Sequence, residues 1–321
     1  MNTQNALTGL LAVQVALAAL TWWPSSDTTA EARKLIEGGG NTITHLAITR
    51  SGEAAEPVIL DAKDGKWAIT SAHGYPADAD KVAEVVDALA GIQLGEPVAT
   101  SAASHAQLKV GDADFGKKIT FTADGKEHTL HLGAAASKAV YLRVDGGEEV
   151  YKVNGFSEFT FKDTSRSYWA TNYVQFDKDA VTTFRLIRGD WLLSFSIIDG
   201  EWSLGQAPQN VKVRKDKLEE LIAKASALRL SEPVGTEMKP EYDMGPGSTH
   251  VEWTVTQDET QTNGMITIGK EVDGKHYVQE EGNPFIVFVP SYVVKPLLEA
   301  TQESLTELVD APPLPATEAT P

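Results

Sequence analysis

Apolar and polar residues alternate in the same way along two stretches of the chain, and both are predicted to be β-strands. The alternating apolar pairs are Leu46 and Ile48 in residues 43–50, and Phe184 and Leu186 in residues 181–188. An alternation with a period of two is typical of a strand with one buried face. We therefore expect the two stretches to occupy equivalent positions in two parts of the protein.

A second apolar run and an Asp-Gly pair follow each of these strands, and a Trp comes two residues after the pair. Glycine accepts a positive φ and aspartate tolerates it, so Asp-Gly is a tight-turn pair. Asp64-Gly65 and Asp199-Gly200 each predict a β-hairpin whose second strand carries a Trp. We expect Trp67 and Trp202 to be largely buried, each against the helix of its own lobe.

An amphipathic helix is predicted after each Trp strand, because apolar residues recur there at i, i+3, i+4 and i+7. The two apolar stripes are Val82, Val85, Val86 and Leu89, and Leu218, Leu221, Ile222 and Ala225. Asp80 and Asp216 stand at the predicted helix starts, where a carboxylate caps free amides. Capping is therefore favoured over metal binding or acid–base work for these acids.

Matching residues are separated by a nearly constant interval, 135 residues between Trp67 and Trp202 and 136 between Gly133 and Gly269. Tyr141 and Tyr277 are also 136 residues apart. A series of matches in one order predicts two related lobes from an internal duplication. Since the second half of each copy is rich in strands, we expect an α+β fold, with an antiparallel sheet and a packed helix in each lobe.

Six segments are predicted. They are a membrane anchor (1–24), a short helix and linker (25–42), the first α+β repeat (43–155), an aromatic-rich connection (156–180), the second α+β repeat (181–308) and a disordered tail (309–321). We expect the connection to pack against both lobes. A last helix is predicted from Lys295 to Leu308, with Pro296 in its first turn. The tail contains little to bury.

Residues 6–23 form an uncharged, mostly apolar run that predicts a transmembrane helix. Trp22 and Trp23 are typical of a membrane interface, and Pro24 ends the helix. A cleaved signal peptide is the alternative, although Met1 to Asn5 contains no basic residue. We therefore expect a retained single-pass anchor.

Composition narrows the function further. The formal net charge is −17, which disfavours binding to the phosphates of nucleic acids. The chain contains no cysteine, which excludes disulfides, thiolate catalysis and cysteine-ligated metals. Hydrophobic residues make up 42% of the chain, enough for a core in each lobe.

Several histidines and glycines invite a functional interpretation, but each has a simpler structural one. His128 and His131 are three residues apart on a predicted strand, so their side chains should point to opposite faces. His73 precedes Asp78 and Asp80, yet a loop and a helix cap explain these three residues. The triplet Gly38-Gly39-Gly40 follows a predicted helix and lacks a following Lys-Ser or Lys-Thr, unlike a phosphate loop.

Ser248 and His250 resemble a nucleophile and base in a Gly-Pro-Gly loop, although a flexible turn is the favoured interpretation. Glu280 and Glu281 are expected in a solvated turn. We therefore assign no catalytic, cofactor-binding or metal-binding residue and expect no cofactor.

The order of short motifs resembles the domain-of-unknown-function 4340 family. These motifs are Ile43 to Ile48, Asp64 to Trp67, Pro76 to Asp78, Leu130 to Gly133 and Val140 to Val144. Members have an N-terminal membrane segment, and their genes often lie beside those of ABC-type transporters resembling gliding-motility components. The resemblance implies a protein of the bacterial inner membrane whose bulk is extracytoplasmic, with ABC-type transporter subunits as membrane partners.

Three functions remain open from the sequence. We expect a non-enzymatic accessory or binding subunit of an envelope ABC-type transport system. The alternatives are an envelope hydrolase that uses acids or the Ser248/His250 loop, and a purely structural envelope protein. A pocket lined by converging acids or histidines would favour the enzyme. An apolar patch or groove would favour the binding subunit.

Overall fold

Two antiparallel sheets, each with its own hydrophobic core, make up most of the protein. The structure is a computed structural model. It describes residues 32–52, 56–133, 139–155, 157–208 and 210–309. Strands outnumber helices in both parts, which confirms the predicted mainly antiparallel α+β character. We call residues 33–155 lobe one and residues 172–308 lobe two.

Lobe one contains eleven strands and two helices in its described residues. The strands are β1 (Arg33–Lys34), β2 (His45–Arg50), β3 (Val58–Lys63), β4 (Lys66–Ile69), β5 (Tyr75–Pro76), β6 (Gln93–Leu94), β7 (Pro97–Ala99), β8 (Lys117–Ala123), β9 (Lys126–Leu132), β10 (Ala139–Val144) and β11 (Val150–Asn154). The helices are α1 (Ala79–Ala90) and α2 (Ala102–Gln107). Nine strands form the sheet β5-β4-β3-β2-β8-β9-β10-β11-β7, and β1 pairs with β6.

Lobe two contains twelve strands and three helices in its described residues. The strands are β12 (Asn172–Gln175), β13 (Val181–Arg188), β14 (Trp191–Ile198), β15 (Glu201–Leu204), β16 (Val211–Val213), β17 (Ala227–Arg229), β18 (Glu232–Gly235), β19 (Thr249–Gln257), β20 (Thr260–Val272), β21 (Lys275–Glu280), β22 (Ile286–Pro290) and β23 (Thr306–Leu308). The helices are α3 (Lys215–Ala225), α4 (Ser291–Glu299) and α5 (Gln302–Leu305). Eight strands form the sheet β15-β14-β13-β19-β20-β21-β22-β18.

The strand order is the same in both sheets from β4 to β7 and from β15 to β18. The small pair β1-β6 of lobe one is matched by the pair β12-β17 of lobe two. In each lobe this pair joins the strand that precedes the large sheet in sequence to the strand that follows the first helix. The lobes differ at one edge. There β5 extends the sheet of lobe one, whereas β16 leaves the sheet of lobe two and pairs with β23.

The two predicted hairpins form as expected. Asp64 and Asp199 both have a φ of 51°, and Gly65 and Gly200 follow with φ values of 74° and 82°. Two successive positive φ angles match the twist of the flanking strands, which explains the Asp-Gly pairs.

The predicted helices also form, and their apolar stripes face the cores. Val82, Val85 and Leu89 are buried in α1, and all four stripe residues are buried in α3. The predicted caps were wrong in detail. Asp78, not Asp80, accepts the free amides at the start of α1. Arg214 occupies the capping position of α3 without a side-chain bond, while Asp80 and Asp216 lie in the first turns.

The aromatic-rich connection packs against both cores, in agreement with the expectation. Tyr168 belongs to the core of lobe one and Tyr173 to that of lobe two, while Trp169 contacts both. Tyr75 of lobe one adds a direct contact, because its ring lies 5.1 Å from that of Phe285 in lobe two. The Tyr75 hydroxyl also donates a hydrogen bond to the Ala170 carbonyl at 3.2 Å.

Two predicted helices differ from the structure. Residues 33–42 form strand β1 and a 3-10 turn at Gly40–Thr42, not the end of a helix, because β1 pairs with β6. The last helix begins earlier than predicted, at Ser291, so Pro296 lies inside it. Burial of Val294 and Leu297 overrides the preference of proline for a first turn. The chain then leaves the helix at Ala300 and ends in α5 and β23.

The predicted anchor at residues 6–23 and nearly all of the predicted tail lie outside the described residues. In the ranges that the structure describes, every helix is too short or too polar to cross a bilayer.

Candidate functional site

A groove of about 780 Å³ opens in lobe one between the β3–β4 hairpin and helix α1. The half-buried Trp67 forms one wall and one side of α1 forms the other. Apolar side chains dominate the lining, among them Ile43, Ala62, Trp67, Val82, Ala83 and Val86. Trp67 packs against the core of lobe one, but the side that faces the groove leaves it only half-buried, which corrects the expectation that it is largely buried against the helix.

Small residues keep this groove open. Ala62 lies directly across from Trp67 in the β3–β4 ladder, so the cross-strand neighbour of the indole is only a methyl group. Ala83 is exposed on the facing side of α1. Gly40 allows the 3-10 turn to approach the helix, since a Cβ there would come within 2.6 Å of a Val86 methyl group.

The matching position in lobe two holds a smaller groove of about 300 Å³. Ile197 lies across from Trp202, where lobe one has Ala62. Glu219 lines the helix side and forms an ion pair with Lys215 at 3.6 Å. Ile197 and the Lys215–Glu219 pair therefore border the helix side of Trp202, where lobe one has only small side chains. Trp202 borders a second groove of about 690 Å³, which Val211 and Val309 also line.

The rims of the two grooves carry different charges. Asp80, Glu84 and Asp87 follow one another at i, i+4 and i+7, so they form an exposed acidic ridge along α1. Among the described residues, none of the three has a basic side chain within ion-pair distance. In α3, Glu219 and Glu220 are paired, through Lys215–Glu219, Lys217–Glu220 and Lys224–Glu220.

The groove of lobe one is suited to binding. The charged residues in its described lining are Asp64, Lys66 and Asp87, with no histidine among them. The described part of the chain also lacks any group of three His, Asp or Glu side chains placed to hold a metal ion. Apolar burial and charge attraction are the interactions that this groove offers a ligand.

The histidines singled out from the sequence lie apart from the groove. His73 is exposed at the end of the 3-10 turn Thr70–Ala72, with a φ of 60°. Asp78 caps α1 and makes no hydrogen bond to His73 in the described residues. Gln206 has the same φ of 60° after the Trp strand of lobe two, so the unusual backbone angle recurs without a histidine.

His128 and His131 point to opposite faces of β9, as predicted. His128 stacks on the buried Phe121 and its Nδ1 lies 3.2 Å from Asp145. His131 is buried on the other face, where its ring meets Phe115 edge-on. The two imidazoles therefore cannot share a metal ion.

In the Ser248/His250 loop, the two side chains are too far apart for a strong hydrogen bond. The Ser248 hydroxyl donates to the Gly245 carbonyl at 2.6 Å, while His250 Nε2 is 3.5 Å away. On the other side, His250 Nδ1 faces the Thr267 hydroxyl at 3.1 Å. Within the described residues, no carboxylate orients this imidazole, as an acylating triad would require.

The paired acids near the end of β21 differ from the solvated turn that was expected. Glu281 is exposed, but Glu280 is half-buried and ends β21. Burial raises the pKa of the Glu280 carboxyl, although a hydrogen bond with Asn283 opposes the shift.

A buried polar cluster around Arg143 was missed from the sequence. Its guanidinium, 3% exposed, donates to the Val110 carbonyl at 2.6 Å, the Gly147 carbonyl at 3.4 Å and the Asp112 carboxylate. The bond from Arg143 lowers the pKa of Asp112. Burial, and then the charge of Arg143, lower the pKa of the neighbouring His131. An arginine inside an apolar strand was the signal that could have revealed this cluster.

His45 and Asp61 form a second pair that was missed, on the outer face of lobe one. His45 Nδ1 lies 2.7 Å from one oxygen of Asp61, and the Thr70 hydroxyl donates to the other. Burial opposes ionisation of Asp61, but the bonds from His45 and Thr70 bring its pKa below the usual value. The paired residues Thr183 and Ser196 take these places in lobe two.

Comparison with known proteins gives one match. The family model described as Domain of unknown function (DUF4340) matches residues 67–246. No curated protein and no solved structure matches the chain.

Proposed function

The chain belongs to the DUF4340 family, a domain of unknown function, and on that premise we propose that it is a non-enzymatic accessory or binding subunit. Its partners would be the membrane subunits of an ABC-type transport system of the cell envelope. Residues 6–23 would anchor it by a single pass in the bacterial inner membrane. The two lobes would then lie outside the cytoplasm.

The open groove beside Trp67 is the observation that carries this proposal. An apolar cleft with a half-exposed Trp is typical of a binding surface, since aromatic side chains contribute strongly to protein interfaces. The groove offers apolar area and charge, and its described lining contains no histidine. Binding therefore suits its chemistry better than hydrolysis does.

We infer as well that the two lobes arose by internal duplication. The shared strand order, the matching Asp-Gly turns and the equal φ of His73 and Gln206 support this origin. The two copies of a duplicated scaffold can come to present different grooves, and in lobe two the space beside Trp202 is divided into grooves of about 300 and 690 Å³. Ala62 in lobe one and Ile197 in lobe two show that difference at one paired position.

The hydrolase alternative has less support. It would depend on Ser248 and His250, whose separation of 3.5 Å is long for a hydrogen bond that activates a nucleophile. A purely structural role would not explain the difference between the two grooves.

Co-purification tests the proposal. The full chain, with an affinity tag at its C-terminus, would be extracted from membranes in mild detergent, and the proteins that accompany it would be identified by mass spectrometry. We expect subunits of an ABC-type transporter in amounts comparable to the tagged chain. Recovery of the chain alone, or from the soluble fraction, would count against the proposal.

A further inference from the structure

We infer that the groove of lobe one receives a segment of a partner protein that carries an apolar side chain flanked by Lys or Arg. This inference rests on the proposed function, because it specifies the chemistry of the partner. It uses three features of the groove: its apolar floor, its acidic rim and its contrast with lobe two.

The floor of the groove selects an apolar group. Trp67 is only half-buried and lies across from Ala62, and the exposed Ala83 and half-buried Val86 form the surface opposite. A volume of about 780 Å³ is enough for several side chains. Burial of apolar area is the main source of affinity that such a surface provides.

The rim of the groove selects a positive charge. Asp87 lines the α1 wall, and Asp80 and Glu84 continue the exposed acidic ridge beside it; Asp64 stands at the hairpin on the other wall, next to Lys66. None of these four carboxylates has an ion-pair partner among the described residues, so their charges remain available to a ligand. Because Lys66 offsets the charge of Asp64, a segment with Lys or Arg beside its apolar group would meet negative charge mainly along α1.

The same acids argue against anionic ligands. The phosphates of nucleic acids and of lipid headgroups would be repelled by the ridge and by the overall charge of −17. Lobe two provides the internal comparison, since Ile197 stands where lobe one has Ala62, and Glu219 and Glu220 of its helix are already paired with lysines. A ligand of the stated chemistry should therefore prefer lobe one.

A random dodecapeptide library displayed on phage, selected on the full chain in mild detergent, tests the inference. We expect enriched peptides with an apolar residue next to Lys or Arg. The best peptide, made synthetically and labelled, should bind at least tenfold more weakly to Ala62→Ile, which introduces the residue of lobe two. Neutralising the ridge with Asp80→Asn, Glu84→Gln and Asp87→Asn together should weaken binding by about tenfold and reduce its salt dependence.

Controls keep the result interpretable. Glu220→Gln on α3 should leave peptide binding unchanged, and thermal melting would show whether each variant folds. If Ala62→Ile fails to fold, Ala83→Gln narrows the groove from the exposed side of α1. Failure of any peptide to enrich, enrichment of acidic peptides, or binding that ignores both groove variants would overturn the inference.

The two proposals fail in different ways. If transporter subunits co-purify equally with the wild type and with Ala62→Ile, the partner docks elsewhere, so the inference falls and the proposed function stands. If basic apolar peptides bind as expected but no transporter subunit co-purifies, the proposed function falls and the specificity of the groove stands.

Discussion

Gly133 lies so close to the carbonyl oxygen of Leu108 that a Cβ at position 133 would overlap it. Gly269 stands in the same relation to the carbonyl oxygen of Tyr242 in lobe two. Each carbonyl precedes a residue with a positive φ, 56° at Lys109 and 50° at Asp243. The chain before β8 and the chain before β19 are therefore held against their sheets by the same close approach.

Substitution of either glycine should destabilise the protein. We expect Gly133→Ala and Gly269→Ala each to lower the free energy of unfolding by about 1–3 kcal/mol, because the backbone must move away from the new methyl group. Gly95→Ala is the matched control, since nothing lies within 4 Å of its Cβ position and its φ is ordinary. Urea denaturation measures all three. Equal stability of the three variants would refute the requirement for close approach.

Replacing the hairpin Trp residues should cost less than replacing a core Trp. Trp67→Ala and Trp202→Ala should each lower the free energy of unfolding by about 2 kcal/mol, since both indoles are only partly buried. Trp253, which is 5% exposed, serves as the comparison and should cost about 3–5 kcal/mol. A Trp67→Ala variant as unstable as Trp253→Ala would show that the groove beside Trp67 is closed in solution.

Arg143 and Asp112 should contribute unequally to stability although they are hydrogen-bonded to each other. Arg143→Leu removes the donor for two carbonyls, Val110 and Gly147, and should cost about 2–4 kcal/mol. Asp112→Asn changes an exposed side chain and should cost less than about 1 kcal/mol. Similar losses from the two substitutions would mean that the ion pair, and not the carbonyl bonds, holds the loop in place.

His131 should make the protein less stable in mild acid. Its pKa is lowered in the folded state, so the unfolded chain binds the extra proton more readily. The contribution to stability is complete above the ordinary pKa of about 6.5 and is lost as the pH falls through the folded value. His131→Leu should therefore flatten the fall in unfolding free energy below about pH 6.5. A variant with the same pH profile as the wild type would exclude this role.

Much of the fold could be predicted because local signals agreed with the tertiary structure. The Asp-Gly turns, the alternation of Leu46 and Ile48 and the stripe of Leu218 to Ala225 all depend on neighbours in sequence. The pairs β1-β6 and β12-β17 could not be predicted in this way. Each joins two or three residues to a distant segment, and so short a strand has no period of its own.

The candidate site was the least predictable part. Ala62 and Ala83 matter because they are small, and only the pairing of Ala62 with Trp67 shows which space they leave open. The sequence suggested the histidines as candidate site residues, yet the structure places them apart from the groove. The ends of α4 were missed because burial of Val294 and Leu297, which is a tertiary effect, placed Pro296 inside a helix.

Site-specific photo-cross-linking in intact cells tests most directly whether lobe one binds a membrane partner through its groove. A benzophenone side chain would replace Lys66 on the rim of that groove or, as the control, Glu201, which also begins the Trp strand in lobe two. We predict a cross-link from position 66, but not from position 201, to a subunit of an ABC-type transporter identified by mass spectrometry. Equal cross-linking from both positions, or no transporter subunit from position 66, would contradict a docking role for this groove.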